Sequence, residues 1–131
     1  MTGVTPAFVQ AEAIEIALAH RTVLRSVSVR FDRGTTVAIV GRNAAGKTTL
    51  LRALGGILEP RAGRITWDGQ SPARWSARDR ARRIAYVAQR PALSVRFSVR
   101  ETIELGRYAL VDDVRRIDAA IVAFGLEAIA E

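Results

Sequence analysis

The sequence predicts an α/β fold, and three observations support this prediction. Residues 41–49 contain the phosphate-binding pattern G-x-x-x-x-G-K-[ST], which is matched at every fixed position. The apolar run at residues 36–40 precedes the pattern, and a stretch with helical periodicity follows it from Thr48. Strand-like and helix-like segments occupy the rest of the chain. Strand, glycine-containing loop and helix in this order form the setting that the pattern requires.

Two segments ahead of the loop are predicted as partly exposed antiparallel strands. Residues 8–18 and 23–31 both alternate apolar and polar side chains, as half-buried strands do. Turns are predicted between them at residues 20–22 and after them at residues 32–34. Residues 37–40 do not alternate, which predicts a parallel strand that is covered on both faces and positions the loop.

The elements after the loop are predicted by the same criteria. The helix that begins at Lys47 is expected to end near Gly55. Ser98 and Glu101 have the spacing of a capping box at a helix start. The other predicted elements are a strand at residues 64–67, a helix after Ser76, a buried strand at residues 84–87, a helix from Ser98 to Leu105, and a last helix that begins at Asp112 or Asp113 and ends at Gly125.

The loop has the residue types that polyphosphate binding needs. Its backbone N–H groups, together with the positive end of a helix dipole, attract negative charge. Lys47 is expected to reach the β- and γ-phosphates, and the Thr48 hydroxyl to complete the coordination of Mg²⁺. Lys47 is the only lysine in the chain. The alternative is a glycine-containing turn without chemical consequence. The candidate binding residues are Gly41, Arg42, Asn43, Ala44, Ala45, Gly46, Lys47, Thr48 and Thr49.

Composition narrows the class of protein. With 131 residues and 49% hydrophobic side chains, the chain is expected to form one domain or part of one. It contains no cysteine, which excludes disulfides and thiolate metal sites. No secretory signal pattern is present at the N-terminus, and no window approaches the ~18 apolar residues of a membrane span. We therefore expect a cytosolic chain.

The formal net charge of +7 is compatible with a nucleic acid or a membrane surface as a partner. Much of this charge lies in the arginine-rich run at residues 78–83. Aromatic residues make up only 6% of the chain, however, and none interrupts this run of mixed charge. A solvated helix face is therefore favoured over a nucleic-acid interface, and no nucleic-acid partner is expected.

The order of these motifs resembles the ATP-binding subunit of ABC transporters over nearly the whole chain. The resemblance rests on the phosphate-binding loop, the Asp68-Gly69 turn and the I-A-Y-V-A-Q segment at residues 84–89. It implies the ABC-type ATPase core of the P-loop NTPase fold, with an antiparallel β subdomain. Residues 1–91 would form the N-terminal part of this core. Residues 92–131 would begin a helical subdomain that is incomplete at its C-terminus.

Gln89 matches the glutamine of the family's Q-loop. By resemblance it contacts Mg²⁺ or the attacking water and links the nucleotide site to the membrane subunit; the alternative is an exposed loop amide. The resemblance also implies ATP and Mg²⁺ as ligands. It implies two partners, a transmembrane permease and a second ATP-binding subunit that completes a dimer. The expected location is cytoplasmic, peripheral on the inner face of the plasma membrane.

Residues 95–108 are similar to the F-T-V-R-E-x-x-x-L-G-R-Y stretch of importers for iron chelates, haem and cobalamin. This similarity implies an ABC-type ATPase whose hydrolysis of ATP is coupled to import of such a substrate. Two alternatives stay open. One is a soluble ABC-type ATPase that acts on ribosomes or DNA, which the charge of +7 motivates. The other is a catalytically silent remnant of a truncated gene.

Two departures from the family pattern concern nucleotide binding. Leu18, with His20 nearby, stands where the family commonly has an aromatic residue that stacks on adenine. Base contact is therefore expected to rest on apolar packing. Ala44 stands where the family usually has glycine, so it would cost stability or affinity if that position needs a positive φ.

A third departure concerns catalysis. The sequence contains no L-S-G-G-Q signature, no strand ending in a Mg²⁺-binding aspartate with a following catalytic glutamate, and no switch histidine. Phosphoryl transfer needs a positioned water and neutralisation of the developing charge. We therefore expect a fragment that is inactive as an ATPase by itself. We also expect it to fold poorly alone, because the missing strand would leave sheet edges uncovered.

Overall fold

The computed structural model describes residues 8–89, 97–110 and 114–130. The chain divides into two compact units, Met1–Ser76 and Ala77–Glu131. The boundary predicted from the sequence, between residues 91 and 92, lies outside the described residues and stays a prediction.

The first unit contains a three-stranded antiparallel sheet. Its strands are β1 (Val9–Leu18), β2 (Arg21–Phe31) and β3 (Ala62–Trp67), in the spatial order β2-β1-β3. All three strands were predicted from the sequence, and these predictions are confirmed. The hairpin that joins β1 and β2 pairs Leu18 with Arg21. The pairing of these strands shifts register three times between Ala11 and Ala17, so the hairpin is irregular.

Helix α1 (Lys47–Leu54) packs against this sheet, and a short 3₁₀ helix, Pro72–Arg74, follows β3. Ile14 and Ile16 of β1 are completely or almost completely buried, at 0% and 1% exposure, whereas Leu18 is 40% exposed. The apolar alternation predicted for β1 therefore faces the core only as far as Ile16. The buried core is formed by Val9, Ala11, Ile14, Ile16, Leu24, Leu50, Ala53, Leu54 and Ile65.

Two predicted strands are absent from the structure. Residues 37–40 and 84–87 form neither strand nor helix, so both predictions are wrong. Val40 and Val87 are 87% and 93% exposed, although the prediction required burial on both faces. A parallel strand needs hydrogen-bonded neighbours, and the sheet in the described residues consists only of β1, β2 and β3. An apolar run without such neighbours stays irregular.

The second unit is helical where it is described. It contains α2 (Ala77–Arg83), α3 (Val99–Gly106), α4 (Val114–Ala123) and a 3₁₀ helix, Glu127–Ile129. The predicted helix after Ser76 is confirmed. The predicted caps Asp112 and Asp113 lie outside the described residues.

The capping box at the start of α3 is confirmed by two hydrogen bonds. The Glu101 backbone N–H donates to Ser98 Oγ at 3.2 Å, and the Ser98 backbone N–H donates to Glu101 Oε2 at 2.7 Å. An ion pair of 2.8 Å between Arg100 and Asp118 links α3 to α4. A small core forms beneath them from Ile117, Ile121 and Ala130, with Ile103 and Leu126 packed against it. Within residues 8–89, 97–110 and 114–130, no helix has the length and apolar character that crossing a bilayer requires.

Candidate phosphate-binding site

The phosphate-binding loop enters α1 through Gly46, which has a left-handed backbone with φ of 89°. A Cβ atom at this position would lie 2.8 Å from Leu24 Cδ2, which is closer than real Cβ contacts. The left-handed backbone therefore favours glycine, and a Cβ would in addition force the Leu24 side chain to shift. The Leu50 N–H donates to the Gly46 carbonyl at 2.8 Å and starts the helical hydrogen bonding.

The Lys47 side chain links the start of α1 to the start of the loop by hydrogen bonds. Its Nζ donates to the carbonyl oxygens of Gly41 at 2.8 Å and of Arg42 at 2.7 Å. An ammonium has three hydrogens, so one donor is left over from these two bonds. The first turn of α1 contains no acidic residue, so no carboxylate on the helix offsets the positive end of its dipole. The lysine and the helix terminus therefore present positive charge together.

A cleft of about 370 Å³ lies beside this loop. We call its two sides the loop side, formed by Ala44, Gly46, Lys47, Thr48 and Thr49, and the hairpin side, formed by Arg21, Thr22 and Val23. Arginine and lysine are the charged residues among these lining groups, and neither aspartate nor glutamate is present. Hydroxyl groups of threonine supply further hydrogen-bond donors and acceptors. This lining suits a polyanionic ligand.

The structure places most of the predicted loop residues in or beside this cleft. Five of them form the loop side. Gly41 and Arg42 contribute through the carbonyl groups that accept from Lys47. Asn43 and Ala45 are exposed members of the loop that do not line the cleft, and the Ala45 N–H donates to the Arg42 carbonyl at 3.3 Å.

Ala44 has a left-handed backbone, with φ of 62°. The sequence analysis expected alanine to cost stability or affinity if this position needs a positive φ, and the position does have a positive φ. A residue with a Cβ in this conformation costs of the order of 1–2 kcal/mol relative to a right-handed one. Ala44 lines the cleft, so this strain is located at the site itself.

Gln89 lies at a bend in the second unit and is exposed. The phosphate-binding loop belongs to the first unit, so the role of Gln89 at the nucleotide site stays a prediction.

The sequence did not predict the hairpin side of the cleft; it indicated only that Leu18, with His20 nearby, stands at the position of the family's stacking aromatic, and the expected apolar base contact stays a prediction. Neither residue lines the cleft, and β2 instead brings Arg21, Thr22 and Val23 to it. The turn itself lies at residues 19–20, so the predicted turn at residues 20–22 overlaps it only at His20, and Arg21 and Thr22 belong to β2. The proximity of the Leu24 side chain to Gly46 is a tertiary feature that the sequence pattern does not encode.

Comparison with known proteins identifies the family. The sequence profile of the family described as ABC transporter matches residues 24–131. The chain belongs to the ABC transporter family. A solved structure described as the ATP-binding subunit of an ABC transporter superposes with a TM-score of 0.79 at 28% identity, covering 94% of this chain and 52% of that chain. The predicted family and the α/β ATPase fold are confirmed.

Two curated relatives are import ATP-binding proteins. The hemin import ATP-binding protein of Rhodopseudomonas palustris (strain ATCC BAA-98 / CGA009) is 40% identical over 121 residues, which are 90% of this chain and 44% of that protein. The cobalamin import ATP-binding protein of Halobacterium salinarum (strain ATCC 29341 / DSM 671 / R1) is 38% identical over 95 residues, which are 72% of this chain and 24% of that protein. The chain thus spans less than half the length of these relatives.

Proposed function

We propose that this chain carries the ATP-binding loop of an ABC importer subunit, and that the protein couples ATP binding and hydrolysis to import. The observation that supports this most strongly is the cleft in which Lys47 and the start of α1 present positive charge together, with no aspartate or glutamate among the described residues that line it. A nucleoside triphosphate is the ligand class that matches such a loop at a helix terminus.

Within this proposal Lys47 holds the β- and γ-phosphates through the donor that the loop carbonyls leave available. Mg²⁺ suits the same site, because the Thr48 hydroxyl, an oxygen ligand, lines the cleft next to Lys47. Mg²⁺ keeps several waters and takes phosphate oxygens, so it needs few protein ligands. Gln89 is proposed as a further contact to Mg²⁺ or to the attacking water. The metal would neutralise charge on the phosphates.

The substrate and the partners are inferred from the relatives. Their names describe import of hemin and of cobalamin. We infer a substrate of the iron-chelate, haem or cobalamin class, which also agrees with the similarity of residues 95–108 to such importers. The inferred partners are a transmembrane permease and a second ATP-binding subunit. The inferred location is the cytoplasmic face of the plasma membrane, where such a permease would hold the subunit.

Replacing the lysine tests the proposal. Lys47→Ala is expected to weaken MgATP binding by about a hundredfold, because a charge-assisted contact to the phosphates is lost. Arg52→Ala is the matched control, since Arg52 is an exposed cation of the same helix that does not line the cleft. Titration calorimetry with MgATP measures both variants, and thermal unfolding verifies that they are folded. Unchanged binding by Lys47→Ala would contradict the proposal, as would an equal loss in both variants.

Action on ribosomes or DNA is the competing function. It rests on the net charge of +7. Part of the arginine-rich run in α2 is engaged within the second unit, where Arg82 Nε donates to the Ala109 carbonyl at 2.6 Å. RNA binding that falls steeply with salt concentration would favour this function over import. Binding that is absent at about 150 mM salt, a concentration at which specific nucleic-acid binders still associate, would count against it.

A further inference from the structure

We propose that Arg21 contacts the base of the bound nucleotide, and that its planar guanidinium provides the stacking surface which an aromatic ring commonly provides in this family. This inference rests on the proposed ATP binding and adds Arg21 to the residues that contact the nucleotide. Arg21 precedes Leu24, where the match to the family profile begins.

The position of Arg21 is the first observation. It lies at the start of β2 and lines the same cleft as Lys47 and Thr48. Its backbone is held by pairing with Leu18 across the hairpin. The side chain is exposed, and in the described part of the chain it forms neither an ion pair nor a side-chain hydrogen bond. The guanidinium is therefore available to a ligand.

The arrangement of binding groups on the two sides of the cleft favours the base, rather than the phosphates, as the partner of Arg21. The phosphate-binding groups, which are the lysine, the helix terminus and the Thr48 hydroxyl, all belong to the loop side. A nucleotide whose phosphates lie there extends its base away from them. The hairpin side offers Val23 as an apolar surface and Arg21 as a planar one, and no aromatic ring is found among the described residues that line the cleft.

Guanidinium groups stack on flat π-systems, whereas an ammonium acts as a point charge. A lysine at this position would therefore preserve the charge without the stacking plane. A tryptophan would preserve a stacking plane without the charge. These two substitutions separate a base contact from an electrostatic contact to the phosphates.

Titration calorimetry with two probes, MgATP and inorganic tripolyphosphate, tests the inference. Tripolyphosphate carries the phosphate charge without a base. Arg21→Ala and Arg21→Lys are expected to weaken MgATP binding about tenfold, in line with the stacking of one base, and to leave tripolyphosphate binding unchanged. Arg21→Trp is expected to bind MgATP as the unsubstituted protein does. Arg25→Ala is the control, because Arg25 is an exposed arginine of β2 that does not line the cleft.

Three results would overturn the inference. One is unchanged MgATP affinity in Arg21→Ala. Another is a similar weakening of tripolyphosphate and MgATP binding in Arg21→Ala with recovery in Arg21→Lys, which would identify a phosphate contact. The third is a loss in Arg25→Ala as large as that in Arg21→Ala. Failure of the unsubstituted protein to bind either probe would contradict the proposed function itself, whereas binding that is indifferent to Arg21 would contradict only this inference.

Discussion

The loop side and the hairpin side of the cleft are built differently. On the loop side, left-handed backbone at Ala44 and Gly46 and two hydrogen bonds from Lys47 to backbone carbonyls determine the shape. On the hairpin side, a β-strand presents side chains to the cleft, beginning with Arg21. The first side depends on backbone conformations that few residues adopt, and the second depends on side chains that a strand can exchange.

Mutations on the two sides are therefore expected to act differently. Substitutions that disturb the backbone of the loop side are expected to change stability and ligand binding together, because the same backbone serves both. Substitutions on the hairpin side are expected to change binding with little effect on stability, because the exposed Arg21 side chain contributes little to the core.

The largest expected effect on stability is that of Gly46→Ala. It introduces a side chain at φ of 89° and places a Cβ 2.8 Å from Leu24 Cδ2. Backbone strain and crowding together are expected to lower the free energy of unfolding by about 2–5 kcal/mol. Denaturant unfolding measures the loss.

Gly69→Ala is the control for Gly46→Ala. Gly69 has φ of 76°, but a Cβ added there would meet no atom of the described residues within 4 Å, so this variant measures backbone strain without crowding. We expect about 1–2 kcal/mol for this substitution. If both variants lose the same free energy, crowding against the Leu24 side chain adds nothing to the backbone strain at residue 46.

A smaller effect, on ligand binding, is expected for Thr48→Val. Valine keeps the shape of threonine and removes the hydroxyl proposed to bind Mg²⁺. ATP affinity in the presence of Mg²⁺ is expected to fall about tenfold, while ATP affinity in EDTA stays the same. Thr66→Val on β3, away from the cleft, is the control and is expected to change neither value. An equal fall with and without Mg²⁺ would show that the hydroxyl has another role.

Local features of the sequence predicted much of this fold. The alternation of β1 and β2, the capping box at Ser98 and Glu101, and the loop that precedes α1 depend on neighbouring residues along the chain. These predictions are confirmed for that reason. The predictions of strands at residues 37–40 and 84–87 were wrong, because a parallel strand forms only with neighbours in space. An apolar run does not reveal whether those neighbours are present.

The candidate site likewise has one side that the sequence predicted and one that it did not. The motif predicted the loop that contributes the loop side, because each of its fixed positions meets a backbone or charge requirement of phosphate binding. The hairpin side depends on the register of β1 against β2, which shifts between Ile16 and Ala17 just before the turn. The resemblance placed Leu18 at the position of the family's stacking aromatic, whereas the folded hairpin places Arg21 at the cleft.

The smallest expected effect is that of Ala44→Gly on the loop side. Glycine adopts the φ of 62° observed at residue 44 without the penalty that a Cβ brings. The gain is partly offset by the greater entropy of glycine in the unfolded chain, so stability is expected to rise by about 0.5–1 kcal/mol. Ala45→Gly, at a neighbouring position without positive φ, is the control and is expected to lower stability. Denaturant unfolding compares the two variants. A loss of stability in Ala44→Gly as large as in Ala45→Gly would show that the left-handed backbone at residue 44 stores no strain, and the loop side would then tolerate side chains as the hairpin side does.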